Sequence, residues 1–206
     1  MIYLDIAIVA GELVGIVLSV QKHGFWGQFV YYTQCSNYLL LFATAVHLYC
    51  LLRSRLNPGK AGKGGETGMP KAVERAKYYA TCLTTVTILV TVFILVPWYG
   101  HPEFFLLQSN GLFHHLLCPI LAVASLPLLG RMEKRDVFFA MIPTVVYGVV
   151  MYILNFLRIY DGPYPFLRVH NQPWYTSILW FLALAGLAYG IAFVLRKLCG
   201  KKAPSR

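Results

Sequence analysis

The chain has 206 residues, 58% hydrophobic and 13% charged, with a mean hydropathy of +0.59. Soluble domains carry about one quarter charged residues, so the composition excludes an ordinary globular protein and indicates an integral membrane protein. The net charge of +10 lies in loops that flank apolar stretches, which argues against a nucleic-acid partner and adds only an attraction to anionic lipid.

Six apolar stretches are long enough to span hydrocarbon: 2–20, 29–52, 78–98, 111–129, 137–157 and 175–195. They do not alternate apolar and polar residues, which excludes an outer-membrane barrel. The expected fold is therefore an all-α, polytopic bundle of six transmembrane helices forming a single domain. The first stretch has no basic leader and carries Asp5 and Glu12, so it reads as a helix rather than a signal peptide. Asp5, Glu12 and Ser19 share one face of it, and Gly11 and Gly15 provide a small-residue surface for close packing. Glu12 lies at mid-span, where a carboxylate needs a donor. The candidate donors are Asn37, Thr44, Tyr147, Tyr152 and Asn155, with Glu12 forming the floor of a cavity.

The second stretch begins "YYTQCSNYLL". At 100° per residue Thr33, Ser36, Asn37, Thr44 and His47 fall on one face, with Cys35 pointing away and Gln34 at the side. Residues 53–77 hold seven basic side chains, and 57–68 read as a flexible Gly/Lys-rich loop. The third stretch aligns Thr84, Thr87 and Thr91, hydroxyls suited to bonding their own helix. "HPEFFLLQSN" reads as a short interfacial helix.

The fourth stretch aligns His114, Cys118 and Ser125, and the fifth aligns Thr144, Gly148, Tyr152 and Asn155. The last long connection, "RIYDGPYPFLRVHNQPWY", reads as an ordered aromatic cap. Fifteen basic residues fall on the side of the termini and three on the other, so both termini are expected in the cytoplasm, of the inner membrane if the chain is bacterial. The five cysteines show no metal or disulfide spacing.

Helical rise places Thr33 about 6 Å and His114 about 5 Å below the outer surface, in one layer. A hydroxyl and an imidazole facing each other there could serve as nucleophile and general base. His115 or Glu12 could orient His114, although His115 points about 100° away from it. Asn37, one turn deeper, could donate to an oxyanion, with Ser36 and Asn155 as further polar support.

Three segments, "QFVYYTQCSNYLLLF", "LFHHLLCPIL" and "YDGPYPFLRV", resemble in order and spacing the androgen-induced-gene family of integral membrane hydrolases. In that family a transmembrane threonine and a histidine five residues before a proline cleave fatty-acid esters of hydroxy fatty acids. The matching positions are Thr33 and His114, with Pro119 as the proline and Tyr164-Pro165-Phe166 as the loop motif. The departures are the second imidazole of His115 and the more polar run Gln34–Asn37.

The resemblance implies a hydrolase of membrane lipid esters that uses a threonine nucleophile and no cofactor. His101, His114 and His115 have no carboxylate or cysteine at a ligand spacing, so no metal is expected. Two alternatives stand beside it: an acyltransferase using Cys118 with His114, and a transporter or lipid-binding protein whose polar stripes line a path past Glu12.

Overall fold

A computed structural model describes residues 1–56 and 69–201. It is helical, with no strand among the described residues. We number the helices α1 (Ile2–His23), α2 (Tyr32–Leu56), α3 (Lys71–Tyr99), α4 (Pro102–Leu106), α5 (Leu112–Leu128), α6 (Lys134–Phe156) and α7 (Trp174–Arg196). Five of them, α1, α2, α3, α6 and α7, are long and apolar enough to cross a membrane. The expected fourth span is the shorter apolar helix α5. The expected second span starts too early, because 29–30 belong to a 3₁₀ turn, Gly27–Val30, that precedes α2. The expected flexible loop 57–68 lies outside the described residues.

α3 lies at the centre, packed against α2, α5, α6 and α7, while α1 packs on α2 and α5. Large apolar side chains face outward, among them Phe42, Phe93, Phe138 and Leu182. Polar side chains face inward, an arrangement that suits hydrocarbon surroundings. Every residue of the first two predicted stripes, from Asp5 to Ser19 and from Thr33 to His47, is buried. Thr84 and Thr87 bond the carbonyls of Ala80 and Leu83 one turn back, as expected for structural hydroxyls.

α3 and α5 each contain a π-helical turn, Thr91–Leu95 and Leu112–Leu117, and each turn ends two residues before a proline, Pro97 and Pro119. The cause is steric. A proline ring inside a helix clashes with the carbonyl four residues back and offers no N–H, and a widened turn relieves both problems. In α5 the widened turn contains both His114 and His115.

The two ends of the bundle differ. At the Asp5 end a buried ion-pair cluster joins α1, α2 and α3: Lys77 Nζ and His47 Nδ1 both meet the Asp5 carboxylate, the latter at 2.7 Å. Arg75 reaches Asp136 at 2.9 Å and also pairs with Glu133, and the backbone N–H of Gly130 donates to Glu74 at 2.7 Å. His47 is thus a buried partner of Asp5 rather than a surface anchor.

At the Thr33 end the segment 157–173 folds over the helices. Asn155 accepts from the Val169 N–H at 2.7 Å, Tyr152 donates to the carbonyls of Phe166 and Ser177, and Phe166 and Leu167 are buried. This is the expected ordered cap. An apolar cluster of Ile8, Leu40, Ala43, Ala80, Cys118 and Ala122 separates the two polar ends.

Candidate active site

Thr33 enters the bundle in the first turn of α2, just after the turn that brings the chain back from α1. Its peptide is clamped from below. Ser36 Oγ and Asn37 Nδ2 donate to the Thr33 carbonyl at 2.9 and 2.7 Å, the back-bonding that serine and asparagine favour near a helix start. Ser36 Oγ also meets Thr87 Oγ1 at 3.0 Å, which ties the clamp to α3.

The imidazole that meets Thr33 is His115, with Nε2 at 3.2 Å from Oγ1. On the far side of the ring Nδ1 lies 2.7 Å from the carbonyl of Phe105, in the last turn of α4. A carbonyl only accepts, so Nδ1 carries the proton and Nε2 presents its lone pair to the threonine hydroxyl. A hydroxyl, an imidazole and a carbonyl acceptor are therefore linked in the order that a nucleophile, its base and the base's orienting group would require.

His114, the expected base, turns its ring the other way. Its Nε2 lies 3.4 Å from Glu12 Oε2, and the ring fills the space that a side chain on Gly15 would need. His114 keeps the face it shares with Cys118, and that face meets α1 rather than Thr33 of α2. Glu12 likewise departs from expectation. It faces His114 and Cys118 across the α1–α5 contact, meets none of the five expected donors, and lines neither cavity at Thr33.

Asn37 is not available as an oxyanion donor, because its amide N–H groups are directed to the Thr33 carbonyl and, at 3.4 Å, to that of His114. Asn155 braces the cap and lines neither cavity. Cys118 is buried against Ile8 and Gly11, on the side of α5 away from Thr33.

Two cavities meet at Thr33. The wider one, about 210 Å³, is a vestibule lined by Lys22, His23, Gln34, Phe104, His115 and Tyr164 among others. Lys22 Nζ stands 4.1 Å above the Phe104 ring, a cation–π contact that holds the charge beside the opening. The smaller one, about 50 Å³, is a chamber between α3, α6 and α7. Thr33, Leu95 and Tyr164 belong to both linings and mark the junction.

Tyr164, in the cap, is the neighbour that residue spacing missed as a site residue. Burial pushes its phenol up to about 12, with contacts to Thr33 and the Tyr32 backbone opposing that rise. It therefore remains a neutral O–H donor beside the threonine. Its sequence signal was the motif Tyr164-Pro165-Phe166, which carried no role of its own. Among the described residues no group of three or more His, Cys, Asp or Glu side chains is placed to hold a metal ion. Comparison with protein-family models, curated proteins and solved structures found no match.

Proposed function

We propose that the protein is an integral membrane ester hydrolase in which Thr33 is the nucleophile and His115 the general base. One observation carries this reading: Thr33 Oγ1 lies 3.2 Å from a histidine nitrogen whose tautomer is fixed by the Phe105 carbonyl. A threonine hydroxyl is a weak nucleophile at its ordinary pKa, and a positioned base is what activates it.

In this mechanism Nε2 takes the Thr33 proton as Oγ1 attacks the ester carbonyl. The Tyr164 phenol donates to the developing oxyanion, and the Gln34 amide, also facing the vestibule, is positioned to assist. As the tetrahedral intermediate collapses, the C–O bond to the alcohol breaks and His115 passes its proton to the leaving oxygen. Water, activated by the same imidazole, then cleaves the acyl-threonine.

The resemblance to the androgen-induced-gene family supports the same reaction class, with the base moved one residue along to His115. We further propose six spans, with α5 as the sixth, and both termini in the cytoplasm. The fifteen-to-three division of basic residues supports that orientation. An impermeant maleimide should then label Asp161→Cys but not Lys201→Cys in intact cells, and labelling of Lys201→Cys alone would invert the topology.

Cys118 lines neither cavity at Thr33; it borders a separate cleft of about 270 Å³ between α1 and α5 whose other lining is apolar and lacks the His114 base that the acyltransferase alternative needs. A transport path from Thr33 to His47 would have to cross Ile8 and Leu40, both fully buried in apolar packing. The reading is tested by hydrolysis of a soluble activated ester by purified protein. Thr33→Ala and His115→Ala should each lower kcat by about 10²- to 10⁴-fold, the usual contribution of general-base catalysis. His114→Asn should retain far more activity. Equal activity of His115→Ala and wild type would overturn the assignment.

A further inference from the structure

The chamber beside Thr33 has no role beyond touching the nucleophile, and its size and chemistry are specific. Apart from Thr33 and Tyr164 at the junction and Thr91 on α3, its hydroxyls are already engaged. Tyr32 Oη meets Thr144 Oγ1 at 2.7 Å, Tyr147 donates to the Val30 carbonyl at 2.7 Å, and Tyr152 donates to two backbone carbonyls. Thr87 is bonded to Ser36 and to its own helix. What remains facing the space is aliphatic and aromatic: Val86, Val90, Leu95, Leu184 and the Phe181 ring. An apolar group can enter with only the Thr91 hydroxyl, which can turn to its own helix, left facing it.

The volume limits that group. At about 50 Å³ the chamber is a third of the roughly 150 Å³ cavity that admits one benzene ring. The vestibule on the other side of Thr33 is about 210 Å³ and opens past Lys22 and Tyr31. A carbonyl carbon placed at Thr33 Oγ1 therefore has a small apolar compartment on one side and a wide, partly cationic one on the other.

Resting on the hydrolase reading, we propose that the chamber is the acyl pocket, that it takes a short acyl group of about two to four carbons, and that Phe181 sets its limit. The larger alcohol portion of the lipid lies in the vestibule and leaves through it. Phe181 is suited to this role because its ring narrows the space beside Gly148. A Cβ built on Gly148 would lie 3.4 Å from Phe181 Cε2, in ordinary contact, so Gly148→Ala fills the chamber without displacing the ring. The two positions thus allow the same compartment to be enlarged or reduced.

The test is the profile of kcat/KM across p-nitrophenyl acetate, butyrate, octanoate and palmitate, measured for wild type, Phe181→Ala and Gly148→Ala. A second series holds an acetyl group constant and varies the alcohol. Wild type should favour acetate and butyrate over octanoate by about tenfold or more, since each misfitting methylene in an apolar pocket costs that order of discrimination. Phe181→Ala should move the optimum to longer acyl groups, Gly148→Ala should move it to acetate, and neither should alter the alcohol series. If Phe181→Ala does not fold, Gly148→Ala alone decides. Thr33-dependent hydrolysis with an unchanged acyl profile, or a shift confined to the alcohol series, would overturn the pocket assignment and leave the hydrolase reading standing. Absence of Thr33-dependent hydrolysis in wild type would overturn both.

Discussion

In the proposed hydrolase reading three side chains matter at Thr33, and each owes its state to a neighbour. The Phe105 carbonyl fixes the His115 tautomer, the paired donors Ser36 and Asn37 fix the Thr33 peptide, and burial keeps Tyr164 protonated. The last has a measurable consequence. The phenol moves from an ordinary 10 up to about 12 in the folded chain, so the folded state holds its proton more tightly than the unfolded state. Its contribution to stability is thus complete below pH 10 and is lost as pH rises from there towards 12. In a spectrophotometric titration Tyr164→Phe should remove one tyrosinate from those that form above pH 10 and leave the number forming near pH 10 unchanged. That variant should also lower kcat by about 10²- to 10³-fold, as loss of an oxyanion donor does. Unchanged titration and unchanged rate would remove Tyr164 from the site.

At the scale of elements the determining feature is the π turn of α5. Regular indexing along the fourth stretch places His114, Cys118 and Ser125 on one buried face, and all three are buried. It does not say which neighbour His115, about 100° away, meets; the ring lies at Thr33, within the π turn that precedes Pro119. The polar stripes of α1 and α2 were legible because those helices are regular over Asp5–Ser19 and Thr33–His47. The partners of Glu12 and His47 were not. A stripe tells which face is inward but not which neighbouring helix each residue meets: α1 packs on both α2 and α5, and Glu12 faces α5 while Asp5 faces α2 and α3. Pro119→Ala restores the missing N–H and allows the turn to close into regular helix. We expect a folded protein of equal or higher thermal stability in which activity falls by about 10²-fold or more as His115 rotates away from Thr33. Full activity in Pro119→Ala would show that the π turn does not position the base.

At the scale of the whole molecule, inward polar faces divide into two layers with an apolar plug between them. The layer at the Asp5 end is a closed set of charges: Asp5, His47 and Lys77 answer one another in the interior, an arrangement whose disruption typically costs about 3–5 kcal/mol. The layer at the Thr33 end is instead open to two cavities, as a site for a molecule requires. Ile8 and Leu40 lie between the two layers and separate the end with cavities from the end with closed ion pairs. The most direct test of that division is the position of a covalent adduct. Purified protein treated with a fluorophosphonate ester and digested for peptide mass spectrometry should carry the phosphonyl group on Thr33, and the adduct should vanish in His115→Ala while persisting in His114→Asn. An adduct on Cys118, or one on Thr33 that forms equally well in His115→Ala, would contradict the account.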